Sequence, residues 1–176
     1  YLDASLQGEL EAVDDTTREW LVGAREPREE PLSPRWQQTL RSYQQEGARW
    51  LLERAQWAPG ACLADEMGLG KTVQTLALLD ARRELGPALG VAPTSVVDKW
   101  ASELSRFAPE LKVHVHRGAS RTRAPLGPGE VVLISYDGLV RDLEGAEAPR
   151  VGGAAYATVV ADEAQYLKNA RTARAR

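Results

Sequence analysis

The sequence predicts an α/β fold: a parallel sheet flanked by helices, behind a small, acidic, helical N-terminal extension. Three observations point there. Short apolar runs alternate with amphipathic helical stretches after Trp57, the pattern of a parallel sheet. A glycine-rich turn, Gly68-Leu69-Gly70-Lys71-Thr72, falls between an apolar run and a helical stretch. Two adjacent acids, Asp162 and Glu163, close a later apolar run.

In chain order, residues 1–24 carry Leu6, Leu10, Val13, Trp20 and Leu21 at loosely helical spacing. Residues 24–34 hold Pro27, Pro31 and Pro34 amid repeated charge, which disfavours any regular element and marks a linker. A boundary is placed there, with 1–34 as extension and linker and 35–176 as the main domain. Residues 42–57 read as a helix with Tyr43, Gly47, Trp50, Leu51 and Arg54 on one side. Strands are expected at 61–64, 89–92, 112–116, 131–135 and 158–161, the last as a buried strand. Helices are expected at 71–85 and 95–107, the second striped by Val96, Val97, Trp100, Ala101 and Leu104 and ended by Pro109. Residues 117–130, with Gly118, Pro125, Gly127, Pro128 and Gly129, form a loop. His114 and His116 alternate with Val113 and Val115 as the polar face of a strand. Cys62 reads as a small core residue, and Trp50 and Trp100 fit helix core positions.

Composition narrows the function classes. A chain of 176 residues and 19.3 kDa, 43% hydrophobic and 27% charged, is an ordinary globular mixture of single-domain size. No stretch approaches the ~18 consecutive apolar residues of a membrane span. One cysteine excludes an internal disulfide framework, and two histidines leave little for metal chemistry. The net charge of -3 is uneven, because residues 1–31 hold nine acids against three arginines. The remainder is mildly basic, which suits a phosphate-bearing partner. Four lysines among 22 basic residues, with abundant alanine, suggest a GC-rich bacterial genome. Opening on Tyr1 and ending in a polar run, the chain reads as a piece of a longer protein.

The chemistry-bearing residues start with Leu63-Ala64-Asp65-Glu66-Met67-Gly68-Leu69-Gly70-Lys71-Thr72. A loop that wraps a triphosphate needs glycines so that backbone N–H groups can approach the oxygens. The helix that follows aims its positive end at them. Lys71 would reach the β- and γ-phosphates and the Thr72 hydroxyl would ligate Mg2+. Asp65 stands where the general pattern has glycine, and the bland alternative is a Gly-x-Gly turn capping a helix. Asp162 and Glu163 lie in Asp162-Glu163-Ala164-Gln165, with Asp162 91 residues after Lys71. There Asp162 would hold Mg2+ through water and Glu163 would polarise the attacking water. An acid-dressed helix start is the alternative. Gln44, 27 residues before Lys71, offers the donor and acceptor that match N6 and N7 of adenine.

With these motifs in hand, the chain resembles the Swi/Snf-type ATPases, the remodelling and translocase branch of superfamily-two helicases. The resemblance rests on Leu40-Arg41-Ser42-Tyr43-Gln44 with Gly47 and Trp50, and on Asp65 to Thr72. It continues through Val91-Ala92-Pro93-Thr94-Ser95 with Trp100 and Glu103, then Ile134-Ser135-Tyr136-Asp137, then Asp162 to Gln165 followed by Leu167-Lys168-Asn169. It covers about residues 38–170; Asp65 is this branch's own spelling, and Ser42 replaces its usual proline. The resemblance implies a first RecA-like P-loop lobe binding ATP and Mg2+ through Gln44, Asp65, Glu66, Met67, Gly68, Leu69, Gly70, Lys71 and Thr72. Lys71, Asp162 and Glu163 are the implied catalytic residues, with Thr72 and Asp162 on the metal.

It further implies duplex-DNA backbone contacts from Thr94, Ser95, Ser135, Tyr136 and Lys168. Thr94 and Ser95 open the 95–107 helix, where simple capping is the alternative, and Lys168 could equally be a solvated lysine. The expected partners are duplex DNA and a second RecA-like lobe of the same chain, in a monomer without membrane contact. The expected setting is the cytoplasm of a bacterium, at the nucleoid. The expected activity is DNA-dependent ATP hydrolysis driving translocation on, or remodelling of, protein–duplex DNA complexes. A strand-separating or RNA helicase of the same superfamily, and a nucleotide-gated binding module without turnover, are the alternatives.

Overall fold

The computed structural model describes residues 31–118, 126–144, 151 and 154–167. The helical reading of residues 1–24 lies outside the described residues, as do Lys168 and residues 119–125. The chain divides after Lys71 into two compact units.

The first unit is helical. Helix α1 (Pro34–Thr39) starts on a proline, whose fixed φ suits a first helical position and whose missing N–H costs nothing there. Helix α2 (Ser42–Trp57) follows after a two-residue break. Gln45 Nε2 stitches the pair, donating to the Gln37 and Leu40 carbonyls at 2.8 and 3.0 Å. Trp36, Leu40, Ala48, Leu51 and Leu52 are buried. Of the residues that the sequence sets on one side of α2, Leu51 is buried and Gly47 half-buried. Tyr43 is exposed and Trp50 half-buried, its ring under the Arg54 guanidinium at 5.6 Å.

Residues 61–64 form no strand. Two of the four are alanine, which sheets disfavour, and among the described residues no strand pairs with them. Cys62 is exposed rather than in a core.

Helix α3 (Lys71–Ala81) crosses the unit boundary at its first residue and ends four residues before the predicted stop, with a 3-10 turn at Arg83–Leu85. The second unit holds a four-stranded parallel sheet of β1 (Ala88–Ala92), β2 (Lys112–Val115), β3 (Glu130–Ser135) and β4 (Thr158–Ala161), in the order β2-β3-β1-β4. The central strands explain the near-continuous apolar runs. All five residues of β1 and four of the six in β3 are buried, as strands covered on both faces must be.

Helix α4 (Val97–Phe107) packs on β2 and β3, and α5 (Tyr136–Leu143) packs on β3 and β1. Leu89, Val91, Val132, Ile134, Tyr136 and Val151 form one core cluster. Two expectations change here. β4 is not buried: it lies at the sheet edge, its residues alternate half-buried and exposed, and Val159 is 61% exposed. His116 is not on a polar face: it is buried just past β2, its Nε2 3.6 Å from the equally buried Asp142 Oδ1.

Candidate functional site

In the first unit, residues 65–70 make an irregular loop turning at Met67 and Gly68 into the N-terminus of α3. Gly68 and Gly70 have φ of 87° and 75°, a left-handed backbone that only glycine adopts without strain. Lys71 folds back over this loop. Its Nζ donates to the Asp65 carbonyl at 2.7 Å and the Glu66 carbonyl at 3.0 Å. Thr72 follows, half-buried in the first turn, and Met67 is 92% exposed.

Gln44 reaches the same loop from α2, its Nε2 donating to the Leu69 carbonyl at 3.1 Å. Its Oε1 accepts from the Arg41 N–H at 3.0 Å and caps α2. The amide expected to read adenine thus already bridges a helix start and the glycine loop. One further N–H and one lone pair remain on it.

In the second unit, Asp162 ends β4 and is held at four atoms. Its N–H donates to the Val91 carbonyl at 2.8 Å, continuing the ladder. Its Oδ1 accepts from the Glu163 N–H at 3.0 Å, its Oδ2 from Trp100 Nε1 at 2.8 Å, and its carbonyl from the Tyr136 hydroxyl at 2.7 Å. Glu163 is exposed, has a left-handed φ of 53°, and accepts from the Gln165 side chain.

Beside them, Pro93, Thr94, Ser95, Tyr136, Asp137 and Tyr166 line a cleft of about 320 Å³. The Tyr136 and Tyr166 rings stack with centroids 5.7 Å apart. Burial first, then the Asp162 and Glu163 carboxylates, push the Tyr136 phenol up, so it stays a donor. Thr94 and Ser95 are exposed and lie in a turn; α4 opens two residues later than expected, behind Val96, with no side-chain cap. Ser135 has a local duty, since its Oγ accepts from the Gly138 N–H at 3.1 Å and caps α5. The Trp100 and Tyr136 bonds to Asp162 were not anticipated. The available signal was general: a buried indole N–H or phenol needs a partner.

A parallel sheet flanked by helices, with a glycine loop before one helix and an acidic pair after one strand, defines a RecA-like lobe. Comparison with known proteins makes this specific. The pattern of the SNF2-related domain matches residues 43–176, and the chain belongs to that family. It is 39% identical over 165 residues to the putative ATP-dependent helicase/translocase YwqA of Bacillus subtilis, covering 89% of this chain and 17% of that protein. It is 37% identical to Helicase SWR1 of Debaryomyces hansenii, covering 94% of this chain and 11% of that one. The fold superimposes on the Sulfolobus solfataricus SWI2/SNF2 ATPase core in complex with dsDNA with a TM-score of 0.66 and 36% identity, covering 85% of this chain and 30% of that core. The chain therefore spans under a third of that core and under a fifth of both relatives. Among the described residues, no helix is long and apolar enough to cross a membrane.

Proposed function

We propose that this chain is the ATP-binding first lobe of a DNA-dependent Swi/Snf-like ATPase that moves along or remodels protein–duplex DNA complexes. The observation that carries the reading is the loop at 65–72, with left-handed Gly68 and Gly70 and the Lys71 ammonium bonded to the Asp65 and Glu66 carbonyls. A glycine loop, a helix N-terminus that follows it in the chain and one cation are the chemistry that a polyphosphate requires.

Lys71 is assigned to the β- and γ-phosphates, Thr72 and Asp162 to the metal, and Glu163 to the attacking water. The donor set fits Mg2+, which takes hard oxygen ligands, keeps several waters and needs only one or two protein groups beside phosphates. Bound Mg2+ supplies charge neutralisation at the phosphates. The chain supplies a fixed carboxylate, a hydroxyl, and a base beside them. Gln44 positions the loop through Leu69 and keeps one donor and one acceptor for the adenine. Duplex DNA is assigned to Thr94, Ser95 and the Tyr136 end of β3, exposed or cleft-lining groups suited to backbone phosphates. Lys168 is assigned to the same contact from sequence.

The test is the full-length protein's ATPase with and without duplex DNA. Duplex of unrelated sequences should stimulate hydrolysis equally, with affinity falling steeply as salt rises. Lys71→Ala removes a charge-assisted bond worth about 1.5–3 kcal/mol, so ATP affinity should drop about 10- to 100-fold and stimulation should vanish. Unchanged hydrolysis in Lys71→Ala would rule out this loop. Stimulation by RNA alone would favour a helicase acting on RNA.

A further inference from the structure

Asp162 is gripped at both carboxylate oxygens and at its carbonyl, and two of the three donors come from elements far away in sequence. Trp100, 62 residues upstream, is 3% exposed within α4. Its single polar atom meets Asp162 Oδ2 at 2.8 Å. The other oxygen is taken by the Glu163 N–H, so the carboxylate is pinned from two directions, while Tyr136 fixes the main chain. Core packing alone asks only that the indole be buried. It does not ask that the N–H end on the carboxylate that closes β4.

The chemistry of the donor matters. An arginine or lysine at this place would form an ion pair and compete with a divalent cation for the carboxylate. An indole N–H orients the group without bringing a competing charge, and a lone pair stays free on each oxygen. We propose that Trp100 is a positioning residue whose indole N–H fixes the rotamer in which Asp162 meets the magnesium–nucleotide complex. This rests on the assignment of Asp162 to the metal made above. Tyr136 serves the same end from the main chain, and the helix carrying Trp100 begins next to Thr94 and Ser95. Of the residues that line the cleft, Tyr136 is bonded directly to Asp162, a route by which a backbone bound in the cleft would bear on it. Partners that orient a metal-binding group are typically worth about 10–100-fold in metal affinity or activity.

The experiment uses full-length protein with 3-benzothienylalanine at position 100, which keeps the indole shape and replaces N–H by sulfur, beside Trp100→Phe and Asp162→Asn. Binding of a fluorescent ADP analogue is measured in EDTA and across a Mg2+ titration, with kcat and KM for ATP in parallel. The isostere should keep its melting temperature and its affinity in EDTA. Its Mg2+ midpoint should rise about 10–100-fold, and kcat should fall with little change in KM. Trp100→Phe should follow it if it folds. An isostere whose Mg2+ midpoint equals that of the wild type would show that Trp100 only packs, and would overturn the proposal. Asp162→Asn separates the two levels. If it retains the full Mg2+ response, the assignment of Asp162 is what fails. If it loses the response and the isostere keeps it, the Trp100 proposal alone fails.

Discussion

Glu163 carries both an exposed carboxylate and a backbone that a non-glycine residue adopts at a cost of order 1 kcal/mol or more. Its N–H uses that bend to reach Asp162 Oδ1, so the strained residue helps orient the acid before it. A side chain needed only for solubility would not require this backbone, which argues that the position matters for chemistry. Glu163→Gln keeps the size and the φ preference and removes the base. Turnover should fall about 10²- to 10⁴-fold, the usual weight of a general base, while ATP affinity stays within about twofold. Single-turnover hydrolysis set against an equilibrium titration reads the two separately; a matched loss in both would make Glu163 structural. The acids themselves were legible in the sequence, because adjacent carboxylates after an apolar run are visible as letters. The hands that hold Asp162 were not. Trp100 reads as a helix core residue and Tyr136 as a DNA contact, and only the folded chain brings an indole 62 residues away onto a carboxylate.

At the scale of elements, Glu130 ties the outer strand to its neighbour. Its carboxylate accepts from Lys112 Nζ at 2.7 Å and from the Gly127 N–H at 3.0 Å, with His114 Nε2 3.4 Å away. The Lys112 bond first, then the Gly127 bond, lower its pKa from 4.5 to about 2. A folded-state value below the unfolded one means stability that is present above pH 4.5 and lost as pH falls from there toward about 2. Lys112 is 70% exposed, which screens the pair and keeps the effect modest. Glu130→Gln should therefore melt lower than the wild type at pH 7, and the gap should shrink progressively between pH 4.5 and pH 2.5. Melting curves across that range check it; a gap independent of pH would assign the loss to packing. The strands at 131–135 and 158–161 could be read in advance because β-branched runs bounded by polar residues carry their own signal. The run at 61–64 could not, since two alanines encode little strand preference and pairing decides. In α2 side-chain size is a poor guide to burial, since Ala48 is fully buried while the larger Tyr43 is exposed.

At the scale of the whole molecule, the chain spans 30% of the Sulfolobus core on which it superimposes, so it carries the loop and the acids but a minor part of such an engine. Under the function proposed above, an arginine from a second lobe would complete the transition-state charge, and such an arginine is worth about 10³–10⁵ in rate in P-loop systems. The three arginines after the acidic motif, Arg171, Arg174 and Arg176, lie outside the described residues and in no matching motif. On that reading the lobe alone would also leave the nucleotide in contact with water, which weakens every charge interaction made with it. The 176-residue piece alone should therefore bind a fluorescent ATP analogue weakly and release almost no phosphate, with or without duplex DNA. Adding the rest of the core in one chain should restore hydrolysis by about 10³-fold or more. Vigorous DNA-stimulated turnover by the piece alone would mean that these residues complete the charge by themselves, and that a second lobe serves movement rather than chemistry.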